Sequence, residues 1–224
     1  MARFHTLKIK DVRRETADAV SIAFDIPLAV QHEYQFKQGQ YITVKLMVNG
    51  EELRRSYSIC TSPYSEKELR VAVKEVKDGR ASTQMNRNWK VGDSVEVMTP
   101  MGNFSSILSG NNKKKYVLFA GGSGITPMMS ILKSVLYIEK QSTITLIYAN
   151  RDEESVIFKS ELDKIVSENS DSVVLLNIYL QFLLPDQQST TLFANHLPGF
   201  LDCHKYLIIQ HCRCFQKLFC PVPI

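Results

Sequence analysis

Residues 116–129 read YVLFAGGSGITPMM, and the order of residue types in them decides how the second half of the chain folds. Tyr116 to Ala120 is a short, wholly apolar run, the kind of strand that is buried on both faces of a parallel sheet. Glycine then fills three of the four positions 121–124, and a helical stretch follows from Thr126. Glycines let backbone N–H groups approach a ligand closely, and the start of a helix carries partial positive charge. Pro127 suits the first helical position. A phosphate or pyrophosphate cradle fits these features. A plain tight turn is the competing reading, and so many glycines exceed what such a turn needs. The spacing differs from the common G-x-G-x-x-G.

Downstream, TITLIYAN predicts a strand, ESVIFKSELDKIVSEN a helix and SVVLLNIYL a strand. That βαβαβ order, with the crossover rules, predicts a doubly wound parallel sheet, in which ligands sit at the carboxyl ends of the strands. Upstream the pattern differs. TLKIKDVRRE, AVSIAFDIP, YITVKLMVNGEE, RRSYSIC, ELRVAVKEV and SVEVMTP read as short strands, joined by Asn49-Gly50, Asp78-Gly79 and Gly92-Asp93. Six strands at this spacing predict a small antiparallel barrel or sandwich, with one helix near STQMNRNWK and Trp89 capping the apolar end. The boundary falls near residues 108–115, giving domains 1–110 and 113–224.

Bulk properties narrow the function classes. The 224 residues are 44% hydrophobic and 22% charged, as in a globular protein. No apolar run approaches the roughly 20 residues of a membrane helix, and the N-terminus lacks the apolar core of a secretory signal. The net charge of +4 is mild, and the one tight basic run, Lys113-Lys114-Lys115, reads as a solvated linker, so nucleic-acid binding has no support. Five cysteines without an export signal suggest reduced thiols and a cytoplasmic location.

RRSYSIC, residues 54–60, raises a separate question. Alternation puts Arg55, Tyr57 and Ile59 on one strand face and Ser56, Ser58 and Cys60 on the other. A cation beside a large aromatic is an odd core. Taken alone, it could be an ordinary surface cation–π contact.

RRSYSICTSP, VAVKEVKDGRAST and AGGSGITPMMSIL, in that order and separation, resemble the ferredoxin–NADP reductase family, and within it the reductase components of oxygenases. The similarity runs to about residue 178. It implies a six-stranded antiparallel FAD-binding β-barrel followed by a doubly wound parallel α/β nucleotide-binding domain. By that resemblance Arg55 pairs with the FAD pyrophosphate, as a guanidinium fork suits phosphate oxygens. Tyr57 lies against the isoalloxazine ring, and Ser58 hydrogen-bonds near flavin N5; these two are the catalytic candidates. Arg54 is solvent-facing or a helper to the same phosphates. Gly79, Ser82 and Thr83 resemble a second phosphate site at a helix start, and the Lys74 backbone borders the flavin. Gly121, Gly122, Ser123, Gly124 and Thr126 would hold the nicotinamide nucleotide, with Asn150 and Arg151 at its adenosine ribose. Arg151 favours a 2′-phosphate and hence NADPH, while Asp152-Glu153-Glu154 would allow NADH unless they cap the next helix. The implied activity is electron transfer from NAD(P)H through FAD to a ferredoxin or oxygenase component. Glu51, Glu52, Glu66 and Glu68 read as solvated turn residues.

The resemblance fails after about residue 180. YLIIQ fits the next strand, but HCRC stands where the family has a strand ending in Cys-Gly-Pro. Cys203, His204, His211, Cys212, Cys214 and Cys220 match neither a zinc nor an iron–sulfur spacing, so no metal site is expected. The tail is expected to derive from a truncated or frame-shifted reading of a longer reductase that carried an iron–sulfur domain. A non-enzymatic FAD-binding remnant or docking module is the alternative reading.

Overall fold

The computed structural model describes residues 3–179 and the strand 206–210. Two compact units are present, one from residues 1–109 with 125–138 and one from 110–124 with 139–224.

The first unit is a six-stranded antiparallel sheet in the order β4-β3-β6-β1-β2-β5. Its strands are β1 (Phe4–Thr16), β2 (Ala19–Asp25), β3 (Tyr41–Val48), β4 (Glu51–Ser58), β5 (Leu69–Lys74) and β6 (Ser94–Met98). An isolated bridge between Ile59 and Val71 brings the two edges together and bends the sheet into a barrel. Alternation builds the core: in β3, Ile42, Val44, Leu46 and Val48 are buried while the residues between them are half-buried or exposed. The hairpin β3–β4 turns at Asn49-Gly50 as its sequence predicts. Asp78-Gly79 leads instead into helix α1 (Arg80–Arg87), and Gly92-Asp93 lies between α1 and β6, so neither pair joins two strands directly. Trp89 packs, half-buried, on the barrel core.

The second unit is a parallel sheet in the order β10-β7-β8-β9, made from β7 (Lys115–Gly121), β8 (Thr143–Asn150), β9 (Val173–Tyr179) and β10 (Tyr206–Gln210). YLIIQ is the strand its sequence suggests. The chain steps outward from β7 to β9 and then returns to the other side of β7, so the strand order reverses at β7. Helix α2 (Ile125–Ile138) connects β7 to β8 in the chain, and α3 (Lys159–Glu168) connects β8 to β9. By its contacts α2 belongs to the first unit: Ser130 Oγ donates to the Thr61 carbonyl at 2.7 Å, and Lys133 pairs with Glu66 at 2.8 Å. Pro127 is the third residue of α2, in the first turn where a missing N–H leaves no bond unmade.

Helix α3 starts five residues later than its sequence suggests. Val156, Ile157 and Phe158 are all buried, and three consecutive side chains cannot share one helix face, so the chain stays irregular until Phe158 (φ 63°). Asp152 and Ser155 close a turn of their own, with Ser155 N donating to Asp152 Oδ1 at 2.9 Å. Asp152 therefore does not cap α3. The six residues at Cys203, His204, His211, Cys212, Cys214 and Cys220 lie outside the described residues.

Two acids read as solvated turn residues are structural. Glu66 accepts from Ser62 N and pairs with Lys133; Glu68 pairs at 2.8 Å with Arg70, whose side chain is only 4% exposed. Arg70 also reaches Ser21 Oγ at 2.9 Å and the Asp11 carboxylate. Its hydrogen bond and charge hold Asp11 below the usual carboxylate range. At Glu68, burial pulls the other way, but Arg70 still leaves it lowered. Carboxylates of the unfolded chain titrate near pH ~4. Because both folded values lie lower, their stabilisation is complete at neutral pH and is lost as pH falls below that range. Urea midpoints should therefore fall on acidification, and Arg70→Met should flatten that dependence. Its cost at pH 7 should be about 2–4 kcal/mol, at or below the buried-pair range because Asp11 is partly solvated.

Candidate functional site

On β4 the register decides which residues share a face. Leu53 lies opposite Leu46, Arg55 opposite Val44 and Tyr57 opposite Ile42, and directly opposed residues project to the same side. Ile42 and Val44 are fully buried, so Arg55 and Tyr57 stand on the core side of the strand. Arg55 is nevertheless exposed, and Tyr57 is half-buried with its ring on the core. Burial pushes the Tyr57 phenol up to about 12, with the charge of Arg55 opposing, so the ring is neutral at working pH. Ser58 ends the strand opposite Tyr41.

The two arginines separate cleanly. Arg54 is paired with Glu52 through Nε and Nη2, both at 2.8 Å. Arg55 donates to the carbonyl of Arg54 at 2.8 Å, and no carboxylate pairs with it among the described residues.

Helix α1 brings a second group to the same hairpin. Arg80 pairs with Glu51 at 2.6 Å and donates to the Val48 carbonyl at 3.0 Å, tying the helix start to the β3–β4 turn. Thr83 N is bonded to the Gly79 carbonyl at 2.9 Å, so the N–H groups of Arg80, Ala81 and Ser82 precede the first intrahelical bond. The Ser82 hydroxyl is engaged within the loop, with Val76 N and Gly79 O at 3.2 Å each, and Thr83 Oγ1 donates to Glu75 at 3.3 Å. Any anion here would meet backbone rather than these hydroxyls. Lys74 lies 3.6 Å from Asp18 and is not joined to this group.

In the second unit the predicted residues converge at the carboxyl ends of β7 and β8. Gly121 lies opposite Ala149, with Asn150 one residue beyond. Gly122 has φ 49°, a left-handed conformation that favours glycine, and residues 122–124 then form a short 3-10 turn. Thr126 is buried. Asn150 is 3% exposed, and among the described residues neither its amide nitrogen nor its amide oxygen has a hydrogen-bond partner. The neighbouring Tyr148 hydroxyl donates to the Gly122 carbonyl at 3.0 Å and not to that amide. An orphaned amide beside a glycine-rich loop, where a parallel sheet reverses its strand order, fits a nucleotide. Arg151 is exposed, and its Nε donates to Asp152 Oδ2 at 2.7 Å, which holds that carboxyl below its usual range.

Sequence reasoning missed two residues. Arg70 sits in an alternating strand and gave no signal, because its partners come from β1, β2 and the segment before β5. Tyr148 read as one more apolar strand residue, and its hydroxyl at the end of TITLIYAN was the available clue.

Comparisons with known proteins bear on the family and the fold. A family model of oxidoreductase FAD-binding domains matches residues 6–106, and one of oxidoreductase NAD-binding domains matches 118–191. The chain is 40% identical over 205 residues to a component of the 1,2-phenylacetyl-CoA epoxidase of Escherichia coli, covering 92% of this chain and 55% of that protein. It is 37% identical to the ferredoxin reductase component of 3-ketosteroid-9-alpha-monooxygenase of Rhodococcus rhodochrous, covering 70% and 44%. The chain thus spans about half the length of these relatives. Among solved structures, a ferredoxin NADP+ reductase from Neisseria gonorrhoeae with bound FAD and NADP superposes with a TM-score of 0.67 at 22% identity, covering 87% of this chain and 77% of that one.

Gly79 offers a direct test of the tight entry to α1. A Cβ there would lie 2.4 Å from both Ser82 Oγ and Val76 Cγ2, and 2.9 Å from the Val76 carbonyl oxygen. Gly79→Ala should destabilise the chain by about 1–3 kcal/mol in urea unfolding; an unchanged midpoint would show that the loop relaxes freely.

Proposed function

Because this chain belongs to the oxidoreductases that join an FAD-binding to an NAD-binding domain, as ferredoxin–NADP reductases do, we propose that it passes electrons from NADH or NADPH through FAD to a protein acceptor. The acceptor class is a ferredoxin-like carrier or an oxygenase component, as the names of the E. coli and Rhodococcus relatives suggest. We take residues 1–110 as the FAD-binding domain and 113–224 as the nucleotide-binding domain. A cytoplasmic location goes with this reading; among the described residues no helix is long and apolar enough to cross a membrane.

The observation that carries the proposal is the carboxylate-free Arg55 beside half-buried Tyr57 on the core side of β4. The guanidinium is suited to the FAD pyrophosphate, and the neutral phenol ring to the flat isoalloxazine. Ser58 supplies a hydroxyl next to Tyr57 for the flavin edge near N5. The first N–H groups of α1, shaped by Gly79 and Ser82, would take the other side of the pyrophosphate, with Thr83 closing the turn. Lys74 remains a backbone contact in this assignment. Gly121, Gly122, Ser123, Gly124 and Thr126 would bind the nicotinamide nucleotide's pyrophosphate, and the orphaned Asn150 amide its adenosine ribose. Arg151 serves a 2′-phosphate only by leaving Asp152, so NADPH and NADH compete on that exchange.

FAD held by Arg55, Tyr57, Ser58 and the start of α1 would supply the hydride-accepting and one-electron chemistry, so the chain's own residues would need no acid–base pair. Its residues orient the two cofactors and exclude water.

FAD-reconstituted chain should show a flavin spectrum that bleaches anaerobically with NADPH or NADH. Arg55→Ala should weaken FAD binding about 10- to 100-fold, the range of hydrogen bonds to charged groups. Bound flavin that neither nucleotide bleaches would leave an FAD-binding docking module. Absence of flavin binding would overturn the proposal.

A further inference from the structure

The Lys113-Lys114-Lys115 run reads as a solvated linker, but the structure fastens it. Glu139, the residue directly after α2, is only 1% exposed. A carboxylate at the end of a helix opposes the helix dipole, and a buried one must be matched by donors. Oε1 of Glu139 accepts from Asn112 Nδ2, and Oε2 accepts from the Tyr116 hydroxyl at 2.9 Å and the Ser142 hydroxyl at 2.7 Å. The Lys114 ammonium lies 4.0 Å from Oε1. The backbone is held as well: Lys114 N donates to Ser142 Oγ at 2.9 Å, and Thr143 N donates to the Lys114 carbonyl at 2.9 Å. All of these groups lie within the second unit.

We infer that Glu139 is the fastener of a strap: it secures the first chain connection between the two units from Asn112 onward, and confines flexing of that connection to residues upstream. One buried side chain takes donors from the linker, from the start of β7 and from the residue before β8, so it joins residues 112–116 to residues 139–142. Lys113 and Lys115 are exposed, whereas Lys114 is half-buried, with its ammonium 5.9 Å from the centre of the Tyr116 ring. A protease needs a segment that opens locally, and an unfastened basic run would be such a place. The inference goes beyond the cofactor reading and does not rest on it, because no member of the strap belongs to either proposed binding site.

The test is limited digestion of the full chain with trypsin, read by mass spectrometry, with cleavage after Lys77 as the reference. Lys77 is exposed in the loop that precedes α1. In the unaltered chain, cleavage after Lys113, Lys114 and Lys115 should be about tenfold slower than after Lys77, or slower still. Glu139→Gln keeps the shape but replaces one acceptor oxygen with a donor amide, which must face either the Asn112 amide or the two hydroxyls. It should speed cleavage in the lysine run about tenfold or more, the scale of a hydrogen bond to a charged group, and leave cleavage after Lys77 within about twofold. Asn112→Ala removes one anchor from the linker itself and should speed cleavage there about three- to tenfold, with the urea midpoint little changed. Cleavage in the lysine run of the unaltered chain as fast as after Lys77 would overturn the inference. So would an Asn112→Ala chain that is cut no faster, or equal acceleration at both places in Glu139→Gln, the mark of general destabilisation. Should Glu139→Gln not fold, Asn112→Ala decides alone.

Discussion

A guanidinium without a carboxylate, standing on the core side of a strand, is the constraint from which the rest of the reading follows. Val44 and Ile42 across the ladder are fully buried, so the positions of Arg55 and Tyr57 would suit aliphatic residues if packing alone mattered. Arg54, one residue earlier on the other face, shows the ordinary arrangement, a surface ion pair with Glu52. Such exposed pairs contribute about 0–1 kcal/mol, and Arg55 lacks even that. Its exposure keeps the cost of an unpaired charge low, because water solvates it. A phosphate replaces that water with little reorganisation.

The second unit reaches a comparable arrangement by different means. A parallel sheet has its strand order reversed at β7, the place where ligands bind in open α/β sheets. The glycine-rich loop leaves β7 at that place. Neighbouring β8 supplies the Tyr148 hydroxyl, which donates to the Gly122 carbonyl at 3.0 Å, and the Asn150 amide, which has no hydrogen-bond partner among the described residues. On the proposed reading, the barrel would meet an anion with a side chain and the sheet with backbone N–H groups.

How much of this was legible in the sequence depended on whether the deciding contacts were local. The barrel strands read correctly because apolar residues alternate along them, as Ile42, Val44, Leu46 and Val48 do. The parallel strands read correctly because their apolar runs are unbroken between turn residues. The start of α3 did not, since Val156-Ile157-Phe158 fits a helical stretch or a buried irregular one equally well, and only tertiary burial chooses. Asp78-Gly79 was recognised as a turn, with Asp78 left-handed at φ 60°. Turn chemistry sets the bend but not the element that follows. Arg70 was invisible because Asp11 and Ser21 reach it from strands far away in sequence. The choice between Arg54 and Arg55 came from family resemblance; in the structure Arg54 pairs with Glu52, while Arg55 has no carboxylate partner among the described residues.

Arg70 and Arg55 together show why satisfaction, rather than residue type, marks a site. Arg70 is buried, and carboxylates of Asp11 and Glu68 together with a serine hydroxyl occupy its donors; its surroundings account for it completely, and it asks for nothing more. Among the described residues Arg55 has a backbone carbonyl but no carboxylate partner, and Asn150 has an amide that is buried and unmet on both atoms. His5 Nε2 and Ser106 Oγ are also buried without a hydrogen bond, but His5 lies 3.4 Å from the Glu33 carboxylate, and each involves a single atom. An unmet buried amide costs about 1–3 kcal/mol per polar group. A fold carrying that cost at the mouth of a glycine-rich loop is one whose polar complement arrives from outside. Among the described residues, Arg55 in the first unit and Asn150 in the second fall where, on the proposed reading, a flavin or nicotinamide dinucleotide would supply the missing bonds.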